Sequence, residues 1–101
     1  MITYKRSFKE NNLDSITIEG HALFADYGKD IVCAAVSTAT IVSINAIESL
    51  NEEENIKVTI EEGYVKIEVI KNTPTVVGLL NNLIYSLKDI EIQFPNHLKE
   101  E

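Results

Sequence analysis

The most constraining stretch of this chain is one without charge. From Ile31 to Ile47 there is no Asp, Glu, Lys or Arg, and from Asp30 to Leu50 neither Gly nor Pro interrupts the run. Small residues crowd it: Ala34, Ala35, Ser37, Thr38, Ala39, Thr40 and Ser43. A helix of this kind has no charged face to turn to water, so it is expected to be buried nearly all round. It can cross a second helix closely or meet a copy of itself, and the pattern does not choose between the two.

Strand-like alternation surrounds that helix. Ile2, Tyr4 and Phe8 share a parity with Arg6, while Thr3, Lys5, Ser7 and Lys9 share the other. Glu10-Asn11-Asn12 reads as a turn, because Asn tolerates the left-handed region. Ile16 and Ile18 then alternate with Ser15, Thr17 and Glu19. Further on, Ile56, Val58 and Ile60 alternate with Lys57, Thr59 and Glu61, and Val65, Ile67 and Val69 with Lys66 and Glu68. Glu62-Gly63 makes a short hairpin loop between the last two strands. Thr73-Pro74 opens a second helix as N-cap and first-turn proline, followed by Val76, Val77, Leu80, Leu83, Ile84 and Leu87 at three-to-four spacing. The expected fold is α+β: a two-layer sandwich in ββαββα order, with a four-stranded antiparallel sheet and two helices on one face. Asn51 to Asn55 reads as a solvated linker and Asn96 to Glu101 as a polar tail. Tyr64 and Tyr85 read as packing residues.

Composition narrows the function classes. At 101 residues, the chain is expected to form one domain over 1–101. Nine Lys and Arg against sixteen Asp and Glu give a net charge of −7, so the basic footprint of a nucleic-acid binder is missing and basic partners are favoured. A single cysteine precludes an internal disulfide and suits a reducing cytoplasm. The start, Met1 to Arg6, lacks the layout of a signal peptide, and no apolar run is expected to be of membrane-spanning length.

Gly20 to Asp30 does not read as scaffold. It is long for a strand-to-helix connection, is bracketed by glycines, and carries Leu23, Phe24 and Tyr27. His21 stands at its start and Cys33 just beyond its end. With Asp30 as N-cap, Cys33 falls in the first helical turn, where free amides and the helix dipole favour a thiolate. An imidazole folded back against it would lower the thiol pKa and hold a catalytic proton. Ser37, at i+4 from Cys33, shares its helix face. The competing reading is that a lone Cys on an apolar helix fills the core and a lone His is a surface residue. One Cys and one His are too few ligands for a metal unless carboxylates complete the set, and no metal or cofactor is expected.

The residues Gly20-His21-Ala22, followed by Gly28-Lys29-Asp30-Ile31-Val32-Cys33-Ala34-Ala35-Val36-Ser37, resemble the signature of the ribosomal-processing cysteine protease family, Prp. Chain length and element order are similar too. The resemblance implies a small cytoplasmic endopeptidase of bacteria, usually a homodimer. Such an enzyme removes a basic N-terminal extension from a large-subunit ribosomal protein precursor. It places the catalytic pair on His21 and Cys33, with Asp30 and Ser37 as the supporting residues of the motif. Asp26 is a rival orienter of His21. Gly20 and Gly28 would let the loop move over substrate, and Leu23, Phe24 and Tyr27 would touch it. The alternative function is a non-catalytic, ribosome-associated peptide-binding module on the same fold, with neither direct nucleic-acid nor membrane contact.

Overall fold

The computed structural model describes residues 1–20 and 27–101, and over 27–30 it is the backbone alone that is described. The elements are β1 (Ile2–Lys9), β2 (Asn12–Glu19), α1 (Tyr27–Ser49), a short 3-10 turn (Glu53–Asn55), β3 (Ile56–Glu61), β4 (Tyr64–Val69), α2 (Pro74–Gln93) and β5 (Leu98–Glu100). The sheet runs β3-β4-β2-β1-β5. Its first four strands pair antiparallel, and β5 joins β1 in parallel.

The expected four-stranded antiparallel sheet is therefore corrected to a five-stranded mixed one, in ββαββαβ order. The segment taken for a polar tail is its fifth strand. Three residues are too few to show alternation, and only Leu98 is apolar among them. Leu98 nonetheless has no exposed surface. The strand is held from outside itself. The Tyr4 hydroxyl donates to Glu91 Oε1 at 2.7 Å, and the same oxygen accepts from the Glu100 amide at 3.2 Å. Arg6 pairs with Glu100 at 3.0 Å.

Turn chemistry sets the first hairpin. Glu10 and Asn11 both have positive φ, 53° and 66°, the combination that matches strand twist in a two-residue connection. The register shifts between Ser7 and Phe8, so Phe8 lies opposite Leu13 and is 58% exposed. The extra residue of the bulge is Asp14 on β2, which turns Leu13 onto the inner face opposite Phe8, while Phe8 sits on that face at the open rim of the sheet. The Arg6 guanidinium, on the same face, lies over its ring 5.8 Å from the centroid.

One core joins the sheet to both helices. Ile16, Ile18 and Ile67 from the sheet meet Val32, Val36 and Ile47 of α1 and Val76, Leu80, Leu83, Ile84 and Leu87 of α2. α2 begins as the sequence implies, with Thr73 Oγ1 accepting from the Val76 amide at 3.2 Å and Pro74 at the first turn. Glu52, in the supposed linker, also accepts from the Thr73 hydroxyl and from Asn55 Nδ2. α1 ends on Asn51, whose φ of 60° lets Glu52 N–H reach back to the Ile47 carbonyl at 3.0 Å.

α1 departs from expectation on its outer side. Its core face is Val32, Val36, Thr40, Ser43 and Ile47, and the two hydroxyls there are satisfied by the Val36 and Ala39 carbonyls at 2.7 and 2.8 Å. Yet only 28% of Ile31–Ser49 is buried, and Ile41 and Val42 are exposed. By length and composition alone this stretch is also apolar enough to cross a membrane, contrary to the sequence expectation. Uncharged hydroxyl residues lengthen the apolar run without widening the side that enters the core. Tyr85 on α2 is likewise 67% exposed rather than packed.

Candidate active site

The site lies at the end of the sheet where β2 finishes and β4 begins. There the chain leaves β2 through Gly20, whose φ is 115°. A Cβ at this position would sit 2.3 Å from the Met1 carbonyl oxygen, well inside contact distance. The Gly20 amide donates to the Gly63 carbonyl at 2.9 Å. Gly63, at φ 68°, turns β3 into β4. Both glycines are thus required by backbone conformation, and together they tie the β2 exit to the β3–β4 hairpin.

Above this junction runs the N-terminal half of α1. Between helix and sheet, among the described residues, lies a groove of about 380 Å³. Its helix wall is Cys33, Val36, Ser37, Thr40, Ile41 and Ile44. Its sheet wall comes from Ile2, Ile18 and Gly20 and from the hairpin residues Ile60, Glu61, Gly63, Tyr64 and Val65. Cys33 is a free thiol, half-buried and packed against the edge of the core. Ser37 is exposed and lines the same groove one turn further on. A mostly apolar trough with a thiol and a hydroxyl in one wall can hold an extended chain by its apolar side chains and present a carbonyl to sulfur.

The start of α1 moves one part of the chemistry. The helix begins at Tyr27, so Asp30 is its fourth residue and not the N-cap, and Cys33 is the seventh. The amides left free at a helix start belong to the first four residues. Cys33 lies roughly one helical turn beyond them, where the dipole has largely faded.

His21, Leu23, Phe24 and Asp26 lie outside the described residues, as do the side chains of Tyr27 and Asp30, and Gly28 is described by its backbone in α1. Of the residues singled out from sequence, the groove brings together Gly20, Cys33 and Ser37. His97, the second histidine, is half-buried at the start of β5 and does not line the groove. Among the described residues no group of three or more His, Cys, Asp or Glu could hold a metal. The hairpin wall was missed from sequence. Ile60, Tyr64 and Val65 reach the groove through sheet pairing, and nothing local in the text marks them.

The family model for cysteine protease Prp matches residues 1–99. The chain belongs to this family. A ribosomal processing cysteine protease Prp of Mycoplasma genitalium is 34% identical over 85 residues, covering 82% of each chain. The Bacillus subtilis protein of the same name is 29% identical, covering 96% of this chain and 91% of its own. Two crystal structures of Prp from Staphylococcus aureus align over all of this chain and 98% of theirs. The one with a substrate peptide gives a TM-score of 0.84 at 25% identity. The one with a covalently linked product peptide gives 0.87 at 27%. As a Prp-family cysteine protease with one cysteine, this chain has one side chain that can supply the thiol.

Proposed function

We propose that this chain is the ribosomal-processing endopeptidase of its cell, cutting the basic N-terminal extension from a large-subunit ribosomal protein precursor. The observation that carries the reading is the position of Cys33, the chain's single cysteine, in the wall of the groove. Relatives named ribosomal processing cysteine protease support the substrate assignment.

In the proposed mechanism the Cys33 thiolate attacks the scissile carbonyl. His21 gives its proton to the leaving amine, which departs as the new N-terminus of the mature protein. The remaining thioester is hydrolysed by water, with His21 now taking the proton. Asp30 and Ser37 support this pair, Asp30 by orienting His21 and Ser37 by hydrogen bonding at the thiol or the substrate carbonyl. Leu23, Phe24 and Tyr27 contact the substrate, and Gly20 and Gly28 let their loop adjust around it. The groove takes the apolar side chains beside the cut. A net charge of −7 attracts a basic extension, an attraction that salt screens. The reading further places the enzyme in the cytoplasm as a homodimer. The exposed Val42 on α1, outside the groove, supports the latter, as apolar surface that a second copy would cover.

The test is incubation of the purified protein with a peptide spanning the extension and its junction, read by mass spectrometry beside Cys33→Ala and His21→Ala. Cleavage by the wild type alone is expected. Binding of the peptide with no product from any form would instead establish a recognition module.

A further inference from the structure

The strand that forms the outer lip of the groove has an unused side. β3 is an edge strand, and among the described residues its ladder is with β4 alone. It contains neither Pro nor a register shift, and of the usual guards of an exposed edge it carries only charge, Lys57 at mid-strand and Glu61 at its end. The opposite edge, β5, is only three residues long.

The free backbone groups of β3 can be assigned. Glu61 and Tyr64 close the two-residue loop, and the Asn55 carbonyl accepts from the Ile70 amide at 2.8 Å. Ladder bonds to β4 therefore fall on the odd-numbered residues, and the even-numbered ones face outward. The Ile56 amide is taken by the Glu53 carbonyl. That leaves the N–H and C=O groups of Val58 and Ile60 aimed at the open edge. Ile60 is 69% exposed and lines the groove that holds Cys33. Exposed glutamates bracket the strand, Glu53 and Glu54 at one end, Glu61 and Glu62 at the other.

We propose that the peptide substrate binds as an added strand on the open edge of β3, pairing with the backbone of Val58 and Ile60 and running from there into the Cys33 groove. Strand addition supplies sequence-independent backbone bonds, while alternate side chains of the peptide enter the trough. The acidic ends of β3 select a basic extended segment. The edge and the groove share Ile60 and Glu61, so the two adjoin. This deepens the endopeptidase reading and rests on it.

The experiment is residue-resolved amide exchange on full-length Cys33→Ala protein, with and without the precursor-junction peptide. Beside it, wild-type protein is assayed on peptides N-methylated at one amide each. Exchange at Val58 and Ile60 is expected to slow roughly tenfold or more on peptide addition, with little change at the already bonded Lys57 and Thr59. N-methylation should impair cleavage at every second amide of the segment. Normal cleavage with unchanged exchange at Val58 and Ile60 would overturn the proposal. So would protection without peptide that deepens with protein concentration, which would assign the edge to a second copy. If the wild type cleaves nothing, the endopeptidase reading fails, while peptide-dependent protection of Val58 and Ile60 would still support strand addition as the binding mode.

Discussion

Replacing Gly20 by Ala tests how the β2 exit is built. Two effects add. A φ of 115° lies where side-chain-bearing residues are strained, at about 1–3 kcal/mol. The new Cβ would also meet the Met1 carbonyl oxygen at 2.3 Å. Backbone cannot yield as a side-chain tip can, so β1 and β2 must part locally. That loosens the Gly20 to Gly63 hydrogen bond, worth about 1 kcal/mol. The combined loss is about 3 kcal/mol, or roughly 12–24 °C in Tm for a domain of this size. Urea unfolding followed by circular dichroism would measure it. Gly78→Ala is the control, since its Cβ would meet nothing within 4 Å in the middle of α2. That change should leave stability equal or raise it by up to about 1 kcal/mol. A Gly20→Ala loss below about 0.5 kcal/mol, within the range of ordinary surface changes, would refute the reasoning.

Other changes probe the rest of the molecule. Leu98→Ala should cost about 2–4 kcal/mol in chemical unfolding, because β5 buries this side chain fully. Thr73→Ala should cost about 1 kcal/mol through the lost cap of α2. The Thr73 hydroxyl is also the largest cause holding the Glu52 carboxyl below its usual value of 4.5, helped by Thr75, Asn55 and Lys71. A depressed carboxyl stabilises the fold above its unfolded value and loses that contribution as pH falls through its folded one. The gap between wild type and Thr73→Ala should therefore narrow below pH 4.5 in acid unfolding curves. Burial first, and then the Glu91 hydrogen bond and charge, push the Tyr4 phenol well above its usual 10. That contribution is complete below pH 10 and fades as pH rises beyond it, so Tyr4→Phe should flatten the alkaline loss of stability seen by fluorescence.

The parts legible in the sequence are those that repeat locally. The alternation of Ile16 and Ile18, and of Val65 and Ile67, marks strands because each residue's partner is two positions away. Thr73-Pro74 marks a helix start by its own chemistry. β5 was illegible because the strand is held by pairing with β1 and by a Tyr4–Glu91–Glu100 network spread across the chain. The outward side of α1 misled for the opposite reason: lack of charge shows that a face is apolar, not that anything covers it. The start of α1 was misplaced because Asp30 makes a good cap wherever it ends a loop, and here the helix has begun by Tyr27. At the site, Gly20 and Cys33 were visible as residues, and the resemblance to the Prp signature weighted them. The hairpin wall was invisible, since Ile60 and Tyr64 reach the groove only through pairing of distant strands.

The central claim is that the Cys33 thiol reacts with substrate held in the groove. The most direct measurement is labelling with a chloromethyl ketone built on the peptide preceding the cut, followed by peptide mapping. The account predicts a single adduct on Cys33, slowed by excess substrate peptide and missing from Cys33→Ser. Efficient cleavage of the precursor peptide by Cys33→Ala, with no adduct on the wild-type cysteine, would contradict it.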